Sequence, residues 1–137
     1  MQKLANVKMK RILESEELKE KEIKEMVKNF LRDVRNGTWK SEGWPSYWTD
    51  YAVSKLALNA YSKVLAKRYD TMLTSVNCFC PGFTQTSMTK GKGTHTADQA
   101  ASLATILVLL PPHHLPTGKF FLLRNNTTFQ QVANSKL

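Results

Sequence analysis

The chain has 137 residues, enough for one domain that would bury about two-thirds of its unfolded surface if it were self-contained. Its 20 basic and 11 acidic side chains leave a net charge of +9. That excess is dispersed: residues 1–40 hold eleven basic and seven acidic groups and residues 41–137 nine and four, with no arginine-rich run or aromatic-basic module to bind nucleic acid. The N-terminus lacks the apolar centre of a signal peptide, and the longest apolar run, 103–110, is far too short to span a bilayer, so a cytoplasmic protein without membrane partners is expected.

In chain order, residues 15–35 read as an amphipathic helix. Ser15 is its expected cap, Glu16 and Glu17 occupy the first turn where the dipole favours them, and Gly37 lies just past the end. Leu18, Ile23, Met26, Val27, Phe30, Leu31 and Val34 recur at three- and four-residue intervals and form the face to be buried. A loop follows, with Trp39, Gly43, Trp44, Pro45 and Trp48; its tryptophans suit packing anchors and pocket walls equally. Asp50 should cap or begin a second helix running to about Tyr69, buried through Val53, Leu56, Ala57, Ala60, Tyr61, Val64 and Leu65. Residues 74–80 read as a strand closed by Pro81-Gly82, and residues 90–95 as a flexible, glycine-punctuated loop. Thr96-Ala-Asp-Gln99 has the form of a capping box opening a helix to Leu110, where Pro111-Pro112 stops it. Residues 118–123 form a last strand, ahead of a polar, mobile tail from Arg124.

Within the second helix, Tyr51 and Lys55 stand four residues apart, which places both on one face about 5–6 Å apart at Cβ. An ammonium beside a phenol stabilises the phenolate, so such a pair can pass a proton to or from a carbonyl or alcohol oxygen near neutral pH. By itself the spacing also fits a surface tyrosine and a solvated lysine. A second motif follows: Asn77-Cys-Phe-Cys-Pro-Gly-Phe-Thr-Gln-Thr86, in which Pro81-Gly82 ends a strand and a threonine stands four positions beyond the glycine. Cys78 and Cys80 point to one face of that strand, cannot bridge within it, and lack the partners of a metal site; they read as small apolar side chains in a reducing compartment. His95, His113 and His114 have no metal-ligand spacing and read as solvated loop residues, so no metal is expected.

The stretch from Trp44 to Tyr69, with the Pro81-Gly82 motif behind it, resembles the short-chain dehydrogenase/reductase family. It is most similar to the plant carbonyl-reductase-like branch that includes menthone and salutaridine reductases. The resemblance covers about Leu4 to Phe121. It implies an α/β fold, the C-terminal half of a Rossmann-type doubly wound parallel sheet with an inserted helix before the active-site helix. On that reading residues 8–48 are a helical insert, 49–123 carry active-site helix, strand, helix and last strand, and 124–137 are a tail. The glycine-rich phosphate turn of such enzymes has no counterpart among the six glycines here, and the family's catalytic serine would fall upstream of Met1. The dinucleotide-binding half would then be absent.

The resemblance also assigns roles. Tyr51 would be the catalytic acid/base, and Lys55 would stabilise its phenolate and bond the nicotinamide ribose. Pro81, Gly82 and the backbone of Phe83 and Thr84 would meet the carboxamide, and Thr86 would touch the cofactor, with a helix N-cap as its alternative use. Trp48 and Met88 would contact substrate. Ser54 is not the family's catalytic serine. The implied activity is interconversion of a ketone and a secondary alcohol of terpenoid or alkaloid type with NADP(H), by a monomer whose insert covers the family's usual dimer surface. A chain without the phosphate turn would be inactive alone. The alternative is a non-catalytic truncated paralogue that acts as an interaction module.

Overall fold

The computed structural model describes residues 4–70, 74–111, 114, 116–124 and 128–132. The chain divides into two compact units, one ending at Leu65 and the other spanning Ala66–Ala133.

The first unit is helical. Helix α1 (Val7–Glu14) is capped by Asn6, whose side chain accepts from the Met9 N–H at 2.9 Å. Helix α2 (Glu20–Arg35) begins where the Glu22 carboxylate accepts from the Lys19 N–H at 2.9 Å. The single helix expected from residue 15 therefore starts later. Ser15 ends α1, its N–H bonded to the Ile12 carbonyl and its hydroxyl accepting from the Glu17 N–H, and this local turn competes with helix. Gly37 lies just past the end of α2, at φ +71° with its N–H on the Val34 carbonyl, as the sequence suggests. Helix α3 (Thr49–Arg68) follows a loop.

Leu4, Leu13, Leu18, Ile23, Met26, Phe30, Trp44, Val53 and Ala60 form one buried cluster in this unit, with Leu56, Ala57, Tyr61 and Val64 packed on it. Met26 is wholly enclosed. Leu31 and Val34, expected on the buried face, are about half exposed, because the apolar stripe is wider than the surface that covers it. The Phe30 and Trp44 rings meet edge to face at 5.1 Å, and the Trp44 indole N–H donates to buried Asp33 at 3.0 Å. Arg32 donates to the other Asp33 oxygen. These bonds, the indole's foremost, hold the Asp33 carboxyl below the usual carboxylate range against its burial. Gly43, at φ +77°, bonds its carbonyl to the Ala5 N–H; a Cβ there would lie 2.9 Å from the Asn6 nitrogen.

The second unit is α/β. Strand β1 (Cys78–Cys80) pairs in parallel with β2 (Phe120–Arg124), in the register Cys78 to Phe120, and helix α4 (Ala97–Val108) is the crossover between them. The strand expected from residue 74 is shorter: the Val76 N–H donates to the Thr117 hydroxyl at 3.1 Å rather than to a strand carbonyl, and the Ser75 and Asn77 side chains tie the same segment to the Pro116 carbonyl. Strand β3 (Thr128–Val132) runs antiparallel to β2, where the sequence suggests a mobile tail; Thr128, Phe129 and Val132 are residue types that favour a strand once a neighbour exists. Helix α4 has the expected box: Thr96 accepts from the Gln99 N–H at 3.1 Å, and the Gln99 side chain accepts from the Thr96 N–H at 2.8 Å. Ala100, Phe120 and Phe121 are buried. No helix among the described residues is long and apolar enough to cross a membrane.

Candidate active site

Helix α3 sets the first cluster. Its opening turn is fixed by Asp50, which accepts from the Tyr51 N–H at 2.9 Å, and by Thr49, whose hydroxyl donates to the Pro45 carbonyl at 2.8 Å. Tyr51 and Lys55 then fall one turn apart, both exposed, with the Lys55 Nζ 5.5 Å from the centre of the Tyr51 ring. That is cation–π range, so the ammonium sits by the aromatic group whose anion it can stabilise. Val53 and Ala60 anchor the opposite face of the helix in the core, and the pair is presented from a rigid support. Ser54 donates to the Tyr51 carbonyl at 2.7 Å, an ordinary helix-surface bond.

The three tryptophans divide cleanly. Trp44 is core, Trp39 packs against the core with Lys40 over its ring, and Trp48 is 73% exposed. The Trp48 ring meets Tyr51 edge-on at 5.9 Å, and its backbone has φ +51°. A bulky side chain in that region costs about 1–3 kcal/mol.

The second cluster belongs to the other unit. Pro81 and Gly82 end β1, Gly82 at φ +77°. The His95 ring lies 2.9–3.0 Å from where a Gly82 Cβ would stand. The Phe83 carbonyl accepts from the N–H groups of Thr94 and His95 and from the Thr94 hydroxyl, while His95 accepts from the Gln85 N–H at 2.7 Å. Among the described residues, the N–H groups of Phe83 and Thr84 have no acceptor. The loop read as flexible is thus tied back on itself, with Gly93 against the Thr84–Gln85 backbone. His95, expected to be solvated, is half-buried, with its Nδ1 enclosed and unbonded. His113 lies outside the described residues, and His114 is exposed. Thr86 caps no helix; its N–H bonds the Thr89 hydroxyl, and it is exposed, as is Met88 at 80%. Among the described residues no group of histidines, cysteines and carboxylates is arranged for a metal.

Tyr51 and Lys55 stand together on α3, and Pro81 and Gly82 at the end of β1, in the local geometry the sequence suggests. The contact of His95 with Gly82 and the backbone state of Trp48 have no signature in the sequence.

Residues 37–129 match the family model described as enoyl-(acyl carrier protein) reductase, which is two-thirds of the chain. The chain belongs to the short-chain dehydrogenase/reductase family. This short-chain dehydrogenase/reductase is 37% identical over 116 residues to a (+)-neomenthol dehydrogenase of Capsicum annuum, covering 85% of the chain and 36% of the relative. It is 32% identical over 99 residues to carbonyl reductase [NADPH] 3 of Rattus norvegicus, covering 69% and 35%. The structure of salutaridine reductase from Papaver somniferum superposes with a TM-score of 0.76 at 35% identity, covering 85% of the chain and 39% of that structure. The chain therefore spans little more than a third of the relatives it matches. Its β1–α4–β2 unit belongs to the Rossmann-like α/β architecture of these reductases.

Proposed function

We propose that Tyr51 is the proton donor and acceptor of a ketone–secondary alcohol oxidoreductase, with Lys55 as its electrostatic partner. The observation that carries this is the Lys55 ammonium 5.5 Å from the ring centre of an exposed Tyr51 on a core-anchored helix. Burying the opposite helix face fixes both side chains without burying either, so they remain available to substrate.

The turn after β1 suits a nicotinamide carboxamide. Gly82, at φ +77°, makes the turn and leaves room for the His95 ring, and the Phe83 and Thr84 N–H groups are open donors for the carboxamide oxygen. A nicotinamide dinucleotide bound there supplies or accepts the hydride. Pro81 shapes this turn, and Thr86 beyond it offers a hydroxyl to the same group. Tyr51 delivers its phenolic proton to the developing alkoxide oxygen in reduction and recovers it in oxidation. Lys55 stabilises the intervening phenolate, and the family resemblance gives it a bond to the nicotinamide ribose as well. Trp48 and Met88 are the proposed substrate contacts. The choice of NADP(H) rests on the similarity to the rat carbonyl reductase [NADPH] 3, and a terpenoid- or alkaloid-like ketone on the similarity to the pepper neomenthol dehydrogenase and the poppy salutaridine reductase. A cytoplasmic monomer is the proposed state.

No glycine-rich phosphate turn occurs in the sequence, so the 137-residue chain is expected to turn over nothing by itself. The test is a chimera in which residues 4–124 replace the matching segment of the pepper dehydrogenase. It should reduce menthone with NADPH, and Tyr51→Phe should lower its kcat about 10²–10⁴-fold, the usual worth of a positioned acid. An unchanged rate in that variant would overturn the assignment.

A second reading, a non-catalytic interaction module, draws on one observation: Ile106, Val108 and Leu109 on and after α4 are 52–77% exposed. It predicts self-association or capture of a partner by the isolated chain. A monodisperse monomer in light scattering, with an active chimera, would dismiss it.

A further inference from the structure

We propose that Trp48 is the specificity-determining residue of the site, an apolar wall that selects ring-bearing ketones over small acyclic ones. The inference rests on the Tyr51 assignment and adds the class of substrate that reaches it.

Two observations converge on this side chain. Its backbone stands at φ +51°, where glycine is favoured and a bulky aromatic is an outlier, yet the conformation is locked because the Trp48 carbonyl accepts the Ala52 N–H at 2.6 Å in the first turn of α3. The fold gains little from the indole, which is 73% exposed and meets only Tyr51 among rings. Trp44, four residues earlier, shows what a structural tryptophan looks like here: 4% exposed, edge to face with Phe30, with its N–H on Asp33. An exposed, strained indole next to the proposed proton donor is placed for a ligand rather than for the core. Tyr47, the preceding residue, is likewise exposed, at 70%. A rigid aliphatic ring would lay its C–H bonds on the Trp48 indole and bring its carbonyl oxygen to the Tyr51 hydroxyl. A two- or three-carbon substituent would cover too little of it to gain from burial.

The experiment is a titration of the ¹⁵N-labelled 137-residue chain, read at the indole N–H signals and assigned by Trp48→Phe. Menthone should shift the Trp48 signal saturably, 2-butanone should shift it at least about tenfold more weakly in concentration, and the Trp44 signal should stay fixed. Equal shifts at all three indoles, or no shift at Trp48, would overturn the proposal. The unfolding midpoint of Trp48→Gly should equal or exceed that of the parent, because glycine accepts the backbone angle. A fall of more than about 4 °C would show the indole to be structural. Neither measurement involves turnover, so failure here with an active chimera removes only the role of Trp48. A clean titration with an inactive chimera removes instead the role of Tyr51.

Discussion

Lys55 can influence Tyr51 without a hydrogen bond between them, because a charge at 5.5 Å from a ring centre acts through space. In the chimera, Lys55→Met should therefore lower kcat, while Lys55→Arg should restore part of it; initial rates at saturating menthone and NADPH measure both. Among the backbone positions, Gly93 leaves the least room: a Cβ would stand 2.1 Å from the Gln85 nitrogen. Gly93→Ala should open the loop that ties Thr94 and His95 to Phe83, and raise the KM for NADPH in the chimera more than it lowers kcat. The Tyr51–Lys55 pair was legible in the sequence because its geometry is local and helical. His95 was not, since its partner Gly82 is thirteen positions away and only the closed loop joins them.

At the level of elements, helix caps are the features that sequence conveys best. Thr96 and Gln99 form their reciprocal bonds as written, and Thr96→Ala should destabilise α4 by about 1 kcal/mol, read from urea midpoints. Ser15 shows the limit of such reading. A serine before two glutamates looks like a helix start, but here it closes the preceding helix, and the true start is held by Glu22 on Lys19. The end of α2 carries a pH dependence that no local pattern reveals. Asp33 has its folded-state titration lowered by the Trp44 indole bond and then by Arg32. Its contribution is complete above the ordinary value of 3.8 and disappears as pH falls below it through the lowered folded value. Urea midpoints followed by tryptophan emission should hold above about pH 5 and drop as the pH falls below 3.8, and Asp33→Asn should flatten that drop.

For the molecule as a whole, each unit has its own buried residues: the Met26-centred cluster in one, and Ala66, Ala100, Phe120 and Phe121 in the other. Met26→Ala should cost about 2–5 kcal/mol, and amide exchange should accelerate across α2 and α3 rather than in β2. Equal acceleration in both would mean that the chain opens as a single block. The order of the main elements was legible because hydrophobic period and punctuation mark them, and the α/β class followed from the family resemblance. The division at residue 65 was not, since it falls inside α3, where the sequence runs on without a break.

The two thiols on β1 have a use that follows from the sheet order. β1 has β2 as its one hydrogen-bonded neighbour among the described strands, and Cys78 and Cys80 on it are free and partly covered. Alkylation of this pair therefore clocks the opening of that strand. Under mild iodoacetamide, the mass spectrum of the intact chain would count zero, one or two adducts against time, turning the chain's only cysteines into a built-in stopwatch for the edge of its sheet.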